Sequence, residues 1–137
     1  MTTVQSTAET DMAIVGAGFE AFAKGDLAGF AAMVHPDGYW NHRNPDRLGG
    51  IHQGRDAIVA FLSESVRLTE GTLRALPQTV MADGAGHVVV LIQISGSRPD
   101  GRTFADDQVL ALTLEGDKVR AFDQYIGDPP AVTAFWA

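Results

Sequence analysis

The sequence predicts an α+β fold, with helices covering one face of an antiparallel sheet. Two observations carry this. Apolar residues recur with a helical period as far as Gly71 and with a period of two beyond it. The second half is cut by short Gly- and Asp-rich turns that join neighbouring strands as hairpins.

The elements follow in order. From Asp11 the residues Met12, Val15, Phe19 and Phe22 mark one stripe of a first helix that Lys24-Gly25 ends. Asp26 caps a second, shorter helix whose face holds Leu27, Phe30, Ala31 and Val34, and His35-Pro36-Asp37-Gly38 breaks it. Tyr39 to Asn44 reads as a short strand and Pro45 to Gln53 as a loop. Gly54-Arg55-Asp56 opens a third helix with Ile58, Phe61, Leu62 and Val66 inward, stopped at Glu70-Gly71. Four strands follow, at Leu73–Ala82, His87–Ser97, Thr103–Leu114 and Lys118–Ile126, with turns at Asp83-Gly84, Pro99-Asp100-Gly101 and Glu115-Gly116-Asp117.

A length of 137 residues is one domain's worth of sequence, so residues 1–137 are expected to share one core. With 45% apolar and 20% charged residues the composition is that of ordinary globular proteins. A net charge of −7 disfavours nucleic acid and anionic lipid as partners. The absence of cysteine excludes disulfides and thiolate chemistry, and the four histidines show no i, i+4 spacing for a metal, so none is expected. The stretch Met1 to Met12 lacks the basic and apolar regions of a leader, and no apolar run approaches the length of a membrane span. A cytoplasmic protein is expected.

Ala23-Lys24-Gly25-Asp26-Leu27, Gly54-Arg55-Asp56-Ala57-Ile58, Gly116-Asp117-Lys118-Val119 and Tyr125-Ile126-Gly127-Asp128 stand in an order and spacing that resembles the nuclear-transport-factor-two-like superfamily, in its SnoaL-like and ketosteroid-isomerase-like branch. The resemblance spans most of the chain. It implies a cone-shaped α+β barrel in which three helices pack in the concave face of a curved sheet, with a pocket inside and homodimers formed through the outer sheet face. It also implies cofactor-free chemistry on a small apolar, carbonyl-bearing molecule: isomerisation, cyclisation or dehydration. The superfamily also holds non-catalytic binding domains, so a ligand-binding or accessory role is the other reading.

Three positions are candidates for that chemistry. His42 shares a strand face with Trp40 and Asn44, and it falls sixteen residues after Asp26, where the isomerases carry their proton-abstracting Asp. An imidazole titrates near neutral pH and suits a general base; the structural reading is a His bonded to a carbonyl. Gln108 falls nearest the place of the isomerases' enolate-binding acid, with Asp106 one pair further out. Either would polarise a carbonyl, and the structural reading is a buried, satisfied amide. Asp128 follows the last strand, where the cyclases and epoxide hydrolases place a catalytic Asp. It also sits in an ordinary Gly-Asp-Pro-Pro turn.

The isomerases' helical Tyr falls here on Gly18, and the hydrolases' Arg and Asp fall on Leu91 and Gln93, so neither specific activity is implied. Pocket walls are expected from Trp40, Phe19, Gln93, Leu110, Leu112, Phe122 and Gln124. Asn41 to Arg47 reads as a solvated loop in which Arg43 or Arg47 would hold an anionic group. Gly16-Ala17-Gly18 copies a dinucleotide-binding fingerprint, but it lies in a helix without a preceding strand. Phe135-Trp136 is a lid or a dimer contact, and Asp123, Tyr125, Val109 and Ala111 are placed on the outer sheet face.

Overall fold

The computed structural model describes residues 7–137; of the stretch read above as lacking a leader, residues 1–6 lie outside it. Its elements are α1 (Ala8–Ala23), α2 (Leu27–Ala31), β1 (Val34–His42), β2 (Gly50–Gln53), α3 (Arg55–Leu68), β3 (Arg74–Ala82), β4 (His87–Ser97), β5 (Thr103–Glu115), β6 (Lys118–Tyr125) and α4 (Pro129–Trp136). The six strands form one curved, unclosed sheet in the order β2-β1-β6-β5-β4-β3.

Three of the four described helices, α1, α2 and α4, start on a side-chain cap, while α3 starts at Gly54 without one. Thr7 accepts from Thr10 N and has its own N–H taken by Thr10 Oγ1, a reciprocal box at the head of α1. Asp26 Oδ1 accepts from Gly29 N at 2.8 Å and opens α2. Val15 and Phe19 of α1 and Ile58, Phe61 and Leu62 of α3 point into the core, with Ser65 rather than Val66 completing the α3 stripe. They meet Val88, Val90 and Ile92 of β4 and Leu110, Leu112 and Leu114 of β5, the alternating inward set of two antiparallel strands. Phe30 sits among the rings of Phe19, Trp40 and Phe122, with centroids 6.0 to 6.5 Å away.

Four expectations are corrected. The sheet is mixed, because β1 runs parallel to β6, with His42 opposite Gln124 and Trp40 opposite Phe122. Hairpin turns report only the pairing of consecutive strands, and these two neighbours are separated in sequence by β2, α3 and β3 to β5. Next, α2 stops short of Val34, and β1 runs through His35-Pro36-Asp37-Gly38 with a register shift between Val34 and Tyr39. A bulge absorbs the N–H that Pro36 lacks. A Cβ at Gly38 would stand 3.1 Å from both His35 O and Val119 O, so a side chain there would have to push two backbone carbonyls aside. Third, part of the expected Pro45–Gln53 loop is β2, paired antiparallel with β1. Finally, Asp128-Pro129-Pro130 is no simple turn: Asp128 accepts from Ala131 N at 3.2 Å and Pro129 occupies the first helical position of α4.

Candidate functional site

The parallel pairing of β1 with β6 brings distant side chains onto one inward face. His42 and Gln124 are register partners, Leu110 lies across from Gln124 on β5, and Gln108 is the diagonal neighbour on the same face. Between this face and the helices lies a cavity of about 60 Å³. That is several times the roughly 10–15 Å³ that one water needs. Its walls are mainly apolar, with aromatic rings from Phe19, Phe22, Phe30, Trp40, Phe61, Phe104 and Trp136 beside aliphatic side chains, and its polar groups are His42, Gln108, Gln124 and Ser65.

The polar side chains form one hydrogen-bonded chain. Gln108 Nε2 donates to Asp106 Oδ2 at 3.0 Å, which turns the Gln108 oxygen toward Gln124 Nε2, 2.7 Å away. Gln124 Oε1 therefore faces the other way, where it accepts from Trp40 Nε1 and His42 Nδ1, both at 2.8 Å. The indole N–H is a donor only, which fixes the same amide orientation independently. Each Gln amide has a second N–H beyond the one it gives, which leaves donors at the cavity's polar end.

His42 Nδ1 must then carry a hydrogen, because its partner is an acceptor. Its other nitrogen lies 2.8 Å from Asp46 Oδ2, with the two side chains 3% and 0% exposed. Burial pushes the Asp46 carboxyl up. Bonds from His42 and Asn44, the charge of His42 and the Leu48 N–H outweigh it, and the carboxyl stays below its ordinary value. Nε2 faces the Asp46 carboxylate and Nδ1 the Gln124 oxygen, so the ring is held at both ends by side-chain oxygens. Asp46 stands behind it, off the cavity wall, while Gln124 stands on the cavity side. This is the order of an orienting acid, an imidazole and a reacting group. The Gln124 oxygen occupies the place of the last.

Of the sequence-predicted residues, Phe19, Trp40, His42, Gln108, Leu110 and Gln124 line the cavity together. Phe122 lies outside the lining and stacks on Trp40 at 4.8 Å. Leu112 is buried outside the lining, and Gln93 falls on the other sheet face from the lining residue Ile94. Asp106 accepts from Gly127 N at 3.0 Å and Asp128 N at 2.9 Å as well as from Gln108, so it pins the connection from β6 to α4. Asp128 is exposed and caps α4.

The stretch expected as a solvated loop is instead part of the site. Asn44 and Leu48 are buried, Asp46 turns its carboxylate inward, and Asn44 Nδ2 also donates to Thr133 of α4 at 3.0 Å. Asn44, two residues beyond His42 on the same strand face, was the legible signal; Asp46 had none. Trp136 lines the cavity and packs on Phe104, while the Phe135 ring lies tilted against Phe104 with centroids 4.1 Å apart. The glycines of the fingerprint-like run lie within α1, and a Cβ at Gly18 would collide with the Met33 side chain. No helix among the described residues is long and apolar enough to cross a membrane.

Three similarities frame this geometry. An uncharacterized protein of Mycobacterium tuberculosis (strain ATCC 25618 / H37Rv) is 28% identical over 131 residues, covering 96% of this chain and 99% of its own. The structure of Bal32a, from a soil-derived mobile gene cassette, superposes with a TM-score of 0.91 at 24% identity, covering 95% of this chain and 98% of that one. TerC, co-crystallized with polyporic acid, has a TM-score of 0.81 at 24% identity over 92% of this chain and 97% of its own. The likeness to these two structures is one of fold. The SnoaL-like domain matches residues 15–122, and the chain belongs to that family, with the cone fold of the nuclear-transport-factor-two-like proteins.

Proposed function

We propose that the cavity takes a small, largely apolar molecule bearing a carbonyl oxygen, and that the chain acts on it by proton transfer next to that carbonyl, as an isomerase, lyase or cyclase. One observation carries this reading: His42 is bracketed by buried Asp46 on one side and by cavity-lining Gln124 on the other. A ligand oxygen that displaces the Gln124 oxygen meets the Nδ1 hydrogen of a ring oriented from behind by Asp46. Once that proton has moved to the ligand, the same nitrogen becomes a base, with Asp46 holding the remaining hydrogen on Nε2. The spare amide hydrogens of Gln108 and Gln124 supply fixed dipoles to the developing oxyanion. Two buried titratable side chains in hydrogen-bond contact beside a cavity also favour a chemical role. TerC, whose structure was determined with polyporic acid, shares the fold and extends the reading to ring-bearing ligands.

The second reading is a binding module without turnover, favoured by the fact that both ring nitrogens are already bonded within the protein. Exchange of the α-hydrogens of cyclohexanone in D2O, followed by NMR, separates the two. The enzyme reading expects exchange well above buffer and a fall of about a hundredfold in His42→Ala. Binding of the ketone, seen by a change in Trp40 fluorescence, with exchange no faster than in buffer selects the module.

Two copies pair through the outer sheet face in this proposal. Leu91, Val109 and Tyr125 lie in register across β4, β5 and β6, and Leu91 and Tyr125 are exposed.

A further inference from the structure

The buried stripe of α3 consists of Ile58, Phe61, Leu62, Ser65 and Leu68, and Ser65 is its one polar member. Only 4% of Ser65 is exposed, and it lines the cavity. Serine is a poorer helix former than alanine, and a buried hydroxyl costs free energy unless it is bonded. Packing alone therefore favours an apolar residue at this position.

The hydrogen of that hydroxyl is already engaged. Ser65 Oγ donates to Phe61 O at 2.9 Å, one turn back along the helix, where the same oxygen also takes the Ser65 N–H. Nothing among the described residues donates to Ser65 Oγ, so both of its lone pairs are free. The hydroxyl also stands apart from the amide chain, with no hydrogen bond to His42, Gln108 or Gln124. Along α3 it lies one turn, about 5.4 Å, beyond Phe61, whose ring centroid is 5.7 Å from that of His42.

The cavity thus presents two kinds of polar group. The amides of Gln108 and Gln124 have hydrogens to give, and Ser65 has an oxygen to receive one. A carbonyl answers the first and has no hydrogen for the second. No carboxylate lines the cavity, so an ammonium at Ser65 would be a buried unpaired charge, whereas a hydroxyl there is neutral.

We propose that Ser65 receives a hydroxyl hydrogen of the ligand and so selects hydroxy ketones over plain ketones, which rests on the cavity reading above and narrows its ligand class. Held at the amides by its carbonyl and on α3 by its hydroxyl, the ligand ring has one orientation toward His42.

Titration of tryptophan fluorescence with cyclohexanone, 3- and 4-hydroxycyclohexanone and 4-methoxycyclohexanone tests this. One of the hydroxy ketones is expected to bind about fivefold or more tightly than the methoxy ketone, whose ether oxygen has no hydrogen to give. In Ser65→Ala the hydroxy and methoxy ketones are expected to bind alike. The readout is a ratio of two ligands on one protein, so a general weakening of the variant cancels. Equal binding in the wild type overturns the selection by Ser65 whatever the variant does, and a hydroxyl preference that survives in Ser65→Ala overturns it as well. Either result leaves the cavity reading standing. Binding of none of the four ketones to the wild type overturns the cavity reading and this inference with it.

Discussion

His42 Nε2 stands 2.8 Å from Asp46 Oδ2, and neither side chain meets solvent to any extent. Removing one partner strands the other in a buried site, a loss of roughly 3–5 kcal/mol. His42→Ala and Asp46→Ala are therefore each expected to lower the urea midpoint strongly. The double variant should lose clearly less than the sum, and simple additivity would show that the two groups do not stabilise each other.

The same pair sets an acid limit. The folded Asp46 carboxyl lies below its ordinary value, so the unfolded chain takes up a proton first, near pH 3.9. The stabilisation is present above that pH and is lost as pH falls through the lower, folded value. Thermal melts between about pH 6 and pH 3 should fall more steeply for the wild type than for Asp46→Asn. Parallel curves would remove Asp46 from the acid response.

Gln124 satisfies more partners than Gln108. Its oxygen takes hydrogens from both Trp40 and His42, and its nitrogen gives one to Gln108. Gln124→Leu leaves two buried donors without an acceptor, at about 1–3 kcal/mol each, whereas Gln108→Leu leaves Gln124 and Asp106 one bond short apiece. Denaturation is expected to rank Gln124→Leu as the more damaging, with a change in Trp40 emission that Gln108→Leu lacks.

Pairing through the outer face predicts sedimentation at twice the chain mass of 14.6 kDa. Leu91→Lys with Tyr125→Lys places charge on both sides of the exposed strip and is expected to yield the single chain. A wild type that sediments as one chain at micromolar concentration overturns the pairing.

Local signals made much of this architecture readable. The stripes of α1 and α3 and the alternation of β4, β5 and β6 are properties of neighbouring residues, and they placed Trp40, His42, Gln108, Leu110 and Gln124 on one side of the sheet before any strand order was known. Phe122 and Leu112 share that side but are screened by Trp40 and by the packed core, a distinction that alternation does not make. The parallel partner of β1, the bulge over Pro36 and the inward turn of Asp46 depend on segments far away in sequence. In the run Asn41 to Arg47 polarity signals solvent, and only the donors supplied by His42, Asn44 and Leu48 make a buried carboxylate tolerable there. The start of α4 was legible in principle, since Asp followed by Pro suits a helix N-terminus as well as a turn.

The parallel seam between β1 and β6 has a kinetic meaning. His42 and Gln124 are separated by 82 positions, so the polar end of the cavity is absent from any partly synthesised chain that ends before β6. The helices and the hairpins of β3 to β5 form from nearby segments, while the seam waits for a long loop to close, the kind of step that slows folding. A nascent or truncated chain thus leaves the edge of β1 unpaired and the His42 ring without its acceptor. In the cell, the interval between making β1 and making β6 is when this protein is most open to aggregation and to proteases.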